Sequence, residues 1–165
     1  YAGIMIDTNN FTTRAGVRTF EAAAFLRRNG ADVTRVRKLF RDDMQDYKAR
    51  AAAISSAEIY REAFSIGVCP SEGLPSPTIV CAQAANELLE IKGIKASVVM
   101  TEYHGLIYLS ARSIDEVNVQ VMMEKLGGGG HRTIAGAQLS GISMEEAKDR
   151  VKAVIDEMLQ KGDIS

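Results

Sequence analysis

Ten residues, Gly127 to Gly136 (GGGGHRTIAG), bring together four consecutive glycines, an imidazole and a further Ala-Gly pair. Glycine loses more backbone entropy on folding than any other residue, so a run of four marks a place that needs bare backbone. Such a run after a helix exposes several backbone N–H groups and lets a ligand approach with no Cβ in the way. A phosphate is the usual guest of that arrangement. A flexible hinge or an extended helix C-cap would use the same glycines, but neither requires His131 at its end. An imidazole there can donate to a phosphate oxygen or stack on a base.

Two further stretches carry candidate chemistry. At Ser110 to Ser113 (SARS), Arg112 is expected at the end of an apolar strand. It would lie close to the next helix N-terminus, whose unsatisfied N–H groups also favour anions. The plainer alternative is a surface ion pair, with Ser113 acting as a cap. Asp7 closes the apolar stretch YAGIMID, which reads as a strand. A carboxylate at a strand's C-terminal edge stands where α/β sheets place ligands and metals, although an aspartate that merely forms a turn is the commoner case. It can ligate Mg²⁺ or Mn²⁺, but one ligand does not make a site. The two imidazoles, His104 and His131, have no metal-cluster spacing with acids.

The elements that must position these groups follow from periodicity and caps. A strand over Ala2 to Ile6 is followed by turn residues and a helix from Val17, stopped at Asn29-Gly30. Asp32 caps another helix with Val33, Val36, Leu39 and Phe40 on its stripe. The run RDDMQDYKARAAAIS from Arg41 reads as a long, partly exposed connecting helix ending near Tyr60. AFSIGVC is strand-like, and Ser76-Pro77 opens a helix running to about Ile91. KASVVMT and LIYLSAR read as paired strands joined around Glu102 to Gly105. Ser113 and Glu116 have capping-box spacing for a helix that ends at the glycines. AGAQLSG is a strand, and Ser143 and Glu146 form a second box ahead of a final helix stopped at Gly162. Alternating strands and helices place the chain in the α/β class.

With 165 residues, 46% of them hydrophobic, the chain can bury a core. A net charge of −1 gives no global attraction for a long polyanion, while a local anion pocket stays open. The absence of tryptophan and the 6% aromatic content disfavour a stacking platform for single strands. Cys69 and Cys81 match no zinc or disulfide spacing and read as buried thiols. No apolar run reaches the roughly 18 residues of a membrane span.

GGGGHRTIAG, preceded by SARSIDEVNV, resembles the signature of the DHH-associated domain of DHH-superfamily phosphoesterases. AGIMIDTNNFTTRAGVRTFEAAAFLRRNGAD resembles the last metal-binding segment of the DHH domain, in wording closest to GdpP-type (YybT-type) cyclic di-AMP phosphodiesterases. The resemblance covers essentially the whole chain. It implies an α/β fold: a C-terminal strand-helix remnant of the DHH domain, then a small mixed-sheet associated domain. The implied boundaries are 1–40 for the remnant, 41–61 for the helical connector and 62–165 for the nucleotide-binding domain. By position, Asp7 matches a ligand of a Mn²⁺ pair. Arg112 and Ser113 match the substrate-face pair, and Gly127, Gly128, Gly129, Gly130 and His131 match the loop gripping the nucleotide.

The implied activity is hydrolysis of cyclic di-AMP to pApA by a metal-bound hydroxide. The implied partners are a cyclic or linear dinucleotide and the N-terminal remainder of the DHH domain; apart from the resemblance, the Arg41 to Tyr60 segment and the terminal helix offer a surface for a homodimer. The parent is expected at the bacterial cell membrane. The family's HxD motif and DHH triplet are absent from these residues, so the chain is expected to be a fragment holding the substrate grip, inactive alone. The glycine-histidine motif is shared with RecJ-like and oligoribonuclease-like exonucleases and with relatives in alanyl-tRNA synthetases. The alternative is therefore a single-stranded nucleic acid or oligonucleotide-binding module.

Overall fold

The computed structural model of the chain describes residues 1–114 and 116–162, which divide into two compact units, Tyr1–Asp42 and Asp43–Ser165. The first unit contains α1 (Ala2–Asp7), α2 (Val17–Arg28) and α3 (Val33–Leu39). Ala2 to Ile6, expected as a strand, is thus helical. Among the described residues this unit holds no strand for it to pair with, and a helix satisfies its N–H and C=O groups within itself. Gly30, at φ 97°, follows α2 as the Asn-Gly signal required. Asp32 caps α3, its Oδ1 accepting from the N–H groups of Thr34 and Arg35 at 2.9 and 3.3 Å. Phe25 and Leu39 are 60% and 73% exposed.

The second unit runs α4 (Met44–Ser55), β1 (Glu58–Tyr60), β2 (Phe64–Val68), α5 (Pro77–Leu88), β3 (Ala96–Tyr103), β4 (Leu106–Ser113), α6 (Val119–Glu124), β5 (Gly129–His131), β6 (Ile134–Ser140) and α7 (Met144–Lys161). The helix read as reaching Tyr60 stops at Ser55. The Ser56 hydroxyl turns back to donate to the Ala52 carbonyl at 2.7 Å, and Glu58–Tyr60 leaves the helix to pair with β2.

Six strands form one mixed sheet in the order β1-β2-β3-β4-β6-β5. β2 and β3 are parallel, with α5 as the crossover, and every other pairing is antiparallel. β3 and β4 join through His104 and Gly105, both at positive φ (51° and 73°), as a two-residue hairpin turn of matching twist demands.

One sheet face buries Ile66, Val98, Met100 and Leu109 against Met122 and Met123 of α6 and Val151, Ile155 and Met158 of α7. The opposite face buries Val99 under Val80, Cys81, Ala84 and Leu88 of α5, with Ala49 and Ala53 of α4 outside them. Sheet positions beneath α4 and α5 are small. A Cβ at Gly67 would stand 3.1 Å from the Ala53 carbonyl oxygen, and the Ser97 hydroxyl donates to the Ala85 carbonyl at 2.6 Å. β3, between the two layers, is buried on both faces from Ala96 to Thr101, and its central residues accordingly read as a near-continuous apolar run.

Helix α6 does not begin at the expected box of Ser113 and Glu116. Asn118 caps it, its Oδ1 accepting from the N–H groups of Gln120 and Val121 at 3.1 and 3.4 Å. Asp115, inside the expected box, lies outside the described residues, as do residues 163–165. The second box is present: Ser143 N–H donates to Glu146 at 2.7 Å, and Glu146 N–H to the Ser143 hydroxyl at 3.2 Å. Gly162 ends α7 in the left-handed conformation. Among the described residues, no helix is long and apolar enough to cross a membrane.

Candidate functional site

Register assembles the site. Arg112 on β4 stands opposite Ile134 on β6, and Ile134 opposite His131 on β5. Directly paired residues in antiparallel strands share a face, so Arg112 and His131 look out from the same surface, two strand spacings or about 10 Å apart. The next rung is Ser110, Gly136 and Gly129. The rung after that is Tyr108 and Gln138. Helix α5 lies over β3 and β4 on this side, while His131, Ile134 and Gln138 are exposed. A floor of hydroxyl and bare backbone is thus bordered on one side by a cation and an imidazole.

Arg112 is held rather than loose. Its Nε donates to Asn86 Oδ1 at 3.0 Å and its Nη1 to the Ala111 carbonyl at 2.8 Å. Partial burial lowers its pKa from the ordinary arginine value, yet a guanidinium stays charged throughout the working pH range. Among the described residues no acceptor takes its Nη2 pair. Those two N–H groups are left to donate charge-assisted hydrogen bonds to a phosphate.

Ser113, the neighbour of Arg112 in sequence, faces the other way because side chains alternate along a strand. It is 7% exposed, and its hydroxyl donates to the Val117 carbonyl at 2.6 Å. Its backbone N–H donates to Thr133. Arg112 and His131 meet on one face, whereas the Ser113 hydroxyl is directed into the core.

The glycines divide by role. Gly127, at φ 80°, turns the chain out of α6. At Gly128 a Cβ would stand 2.1 Å from the Gly136 carbonyl oxygen, and at Gly130 one would stand 2.5 Å from the Ile134 carbonyl oxygen. Both are bare because β5 lies hard against β6. Gly129 differs: nothing stands within 4 Å of its Cβ position, and it lies on the open face beside Gly136 and Ser110. A short strand inside the glycine run was not foreseen, since loop chemistry and a close-packed edge strand use the same residue.

Cys81 of α5 packs on the same side of the sheet as this floor, next to Ser110 and fully buried, with Sγ donating to the Val99 carbonyl at 3.1 Å. Burial pushes its thiol up to about 12, opposed by hydrogen bonding to Ser110. Both cysteines are free and buried, as their apolar neighbours implied.

Asp7 belongs to the first unit, exposed at the end of α1. Among the described residues no group of three or more His, Cys, Asp or Glu could hold a metal ion. A lone exposed carboxylate does not fit a Mn²⁺ pair. Asn86 is the site residue that sequence reasoning missed. It reaches Arg112 across 26 residues of chain, and no local pattern announces such a contact.

Residues 76–161 match the family described as the DHHA1 domain. The chain is 42% identical over 156 residues to the cyclic-di-AMP phosphodiesterase PdeA of Listeria monocytogenes, covering 94% of the chain and 24% of that protein. It is also 42% identical over 163 residues to the cyclic-di-AMP phosphodiesterase GdpP of Bacillus subtilis, covering 98% and 25%. The chain thus spans about a quarter of the length of these relatives. Among solved structures, an exopolyphosphatase-related protein from Bacteroides fragilis superposes with a TM-score of 0.82 at 21% identity, over 94% of this chain and 48% of that one. At that identity the likeness shows the fold.

Proposed function

Because this chain belongs to the DHHA1 domain family, we propose that its open β4-β6-β5 face is the substrate grip of a phosphodiesterase that converts cyclic di-AMP to pApA. The observation that carries the reading is the rung Arg112, Ile134, His131, which borders a floor built from Ser110, Gly136 and Gly129. A phosphate bound there takes the free Nη2 pair of Arg112 on one side and an imidazole N–H of His131 on the other. Gly129, with open space over its Cβ position, lets the sugar-phosphate backbone lie against the strand. The relatives' names support the nucleotide class, and the 42% identity extends across nearly the whole chain.

On this reading the chain binds and orients, and hydrolysis is completed by metal ligands from outside these 165 residues, since Asp7 stands alone. Binding energy spent on holding the phosphodiester fixes its position and orientation for attack.

The test is calorimetric titration of cyclic di-AMP and of pApA into the chain, beside Arg112→Ala and His131→Ala. Saturable binding is expected, weakened about tenfold or more by either substitution while the folded spectrum is unchanged. No binding at millimolar ligand to intact protein overturns the reading. Tight, steeply salt-dependent binding of long single-stranded oligonucleotides instead would assign the face to polynucleotides.

A further inference from the structure

The same face continues past the glycine floor, and what it presents there differs in kind. Tyr108 of β4 pairs with Gln138 of β6, two residues along each strand from Ser110 and Gly136. From Arg112 to Tyr108 is four strand residues, about 13 Å. In order along that path stand a phosphate-binding pair, a bare floor, then an aromatic ring beside a primary amide. A nucleotide laid along the strands presents phosphate, ribose and base in the same order.

The two side chains are suited to opposite aspects of a base. Tyr108 is half-buried, with its ring 6.4 Å from that of Tyr103, so it offers a flat surface beside a second ring. Gln138 is exposed, and among the described residues its amide has no hydrogen-bond partner. An amide carries one acceptor and one kind of donor. Adenine offers the complement on one edge: its N6–H donates to Oε1 while its N7 accepts from Nε2–H. Guanine offers two acceptors, O6 and N7, on that edge, so only one of the two bonds forms.

Resting on the reading of this face as a dinucleotide grip, we propose that Tyr108 and Gln138 form its base subsite and that Gln138 selects adenine over guanine. The phosphate rung sets affinity for either nucleotide, and the Tyr108-Gln138 rung sets which base is accepted.

The experiment compares binding of pApA and pGpG to the chain and to Gln138→Met, Gln138→Ala, Tyr108→Ala and Arg112→Ala, by calorimetry, with thermal unfolding as the check on folding. Gln138 is exposed, and methionine keeps its length without the amide. The wild-type chain is expected to prefer pApA roughly tenfold. Both Gln138 variants should bring that ratio close to one, mostly by weakening pApA. Tyr108→Ala should weaken both ligands through lost stacking, and Arg112→Ala should weaken both while the ratio is kept. If the chain binds both dinucleotides but the ratio is unmoved in the Gln138 variants, the base subsite is overturned and the grip stands. A wild-type chain that binds both equally overturns it too. If neither dinucleotide binds, the grip itself falls and the subsite with it.

Discussion

Arg112 and Asn86 are 26 positions apart in sequence and joined by a single hydrogen bond, Nε to Oδ1 at 3.0 Å. That bond fixes the plane of the guanidinium at the end of α5, so that the outer N–H pair is presented over the sheet face instead of sweeping through solvent. Asn86 touches no proposed ligand atom. Its contribution is to lower the rotamer entropy that Arg112 loses when a phosphate arrives.

Replacing Asn86 by alanine should therefore weaken pApA binding about five- to tenfold, with little change in unfolding temperature because Asn86 is exposed. Gln or Asp at this position restores an acceptor, and partial rescue by either separates positioning from packing. Calorimetric affinity beside thermal unfolding reads both quantities. An unaltered affinity in Asn86→Ala would refute the positioning role.

The glycines should separate into structural and ligand-facing positions. Gly128→Ala places a methyl group 2.1 Å from the Gly136 carbonyl oxygen, and β5 must move away from β6. A loss of about 1–3 kcal/mol in denaturant unfolding is expected. Gly129→Ala meets nothing within 4 Å, and its stability should stay within about 0.5 kcal/mol of the parent. Its methyl group nevertheless stands on the floor between Arg112 and Gln138, so dinucleotide affinity should fall. The pair of measurements, stability for one variant and affinity for the other, should be exchanged between the two positions.

The thiols should make the alkaline end of the stability profile steeper. Burial pushes Cys81 up to about 12, and burial with a smaller contribution from Asp46 pushes Cys69 up to about 11. An unfolded thiol ionises at about 8.5, so above that pH the unfolded chain gives up protons that the folded chain retains. Stability from this source is complete below pH of about 8.5 and is lost as pH rises toward the folded values. Unfolding temperature measured from pH 8 to 11 should decline less in Cys81→Ala than in the parent, once each is referred to its own value at pH 8. In the folded chain at pH 8, both thiols should also react slowly with a thiol reagent, and quickly once denaturant is added.

Features encoded by residues close in sequence were legible: Asp32 and Ser143 as caps, Gly30 and Gly162 as stops, and the turn at His104-Gly105. Each depends on an interaction spanning four residues or fewer. The misreadings have a common physical origin. Ala2 to Ile6 is apolar enough for a strand or a helix, and the choice is made by whether a partner strand is at hand. Ser113 and Glu116 have the spacing of a capping box, but the Ser113 hydroxyl is taken by the Val117 carbonyl, and Asn118 supplies the cap instead. The candidate site lies between these cases. Arg112 and His131 could be named from their neighbours, but their alignment on one rung depends on β6 entering between β4 and β5, a nonlocal pairing that no local window contains. Asn86, Tyr108 and Gln138 join the site only once that register exists.

The parallel pairing of β2 with β3 bears on where this protein can be cut. The recurring family segment begins at residue 76, whereas β2 ends at Val68 and α4 at Ser55. A chain trimmed to that segment would leave β3 as an open edge and strip Ala49 and Ala53 from over Ala84 and Leu88. Expression boundaries drawn at residue 76 would leave an open strand edge and an uncovered part of the core, a route to aggregation.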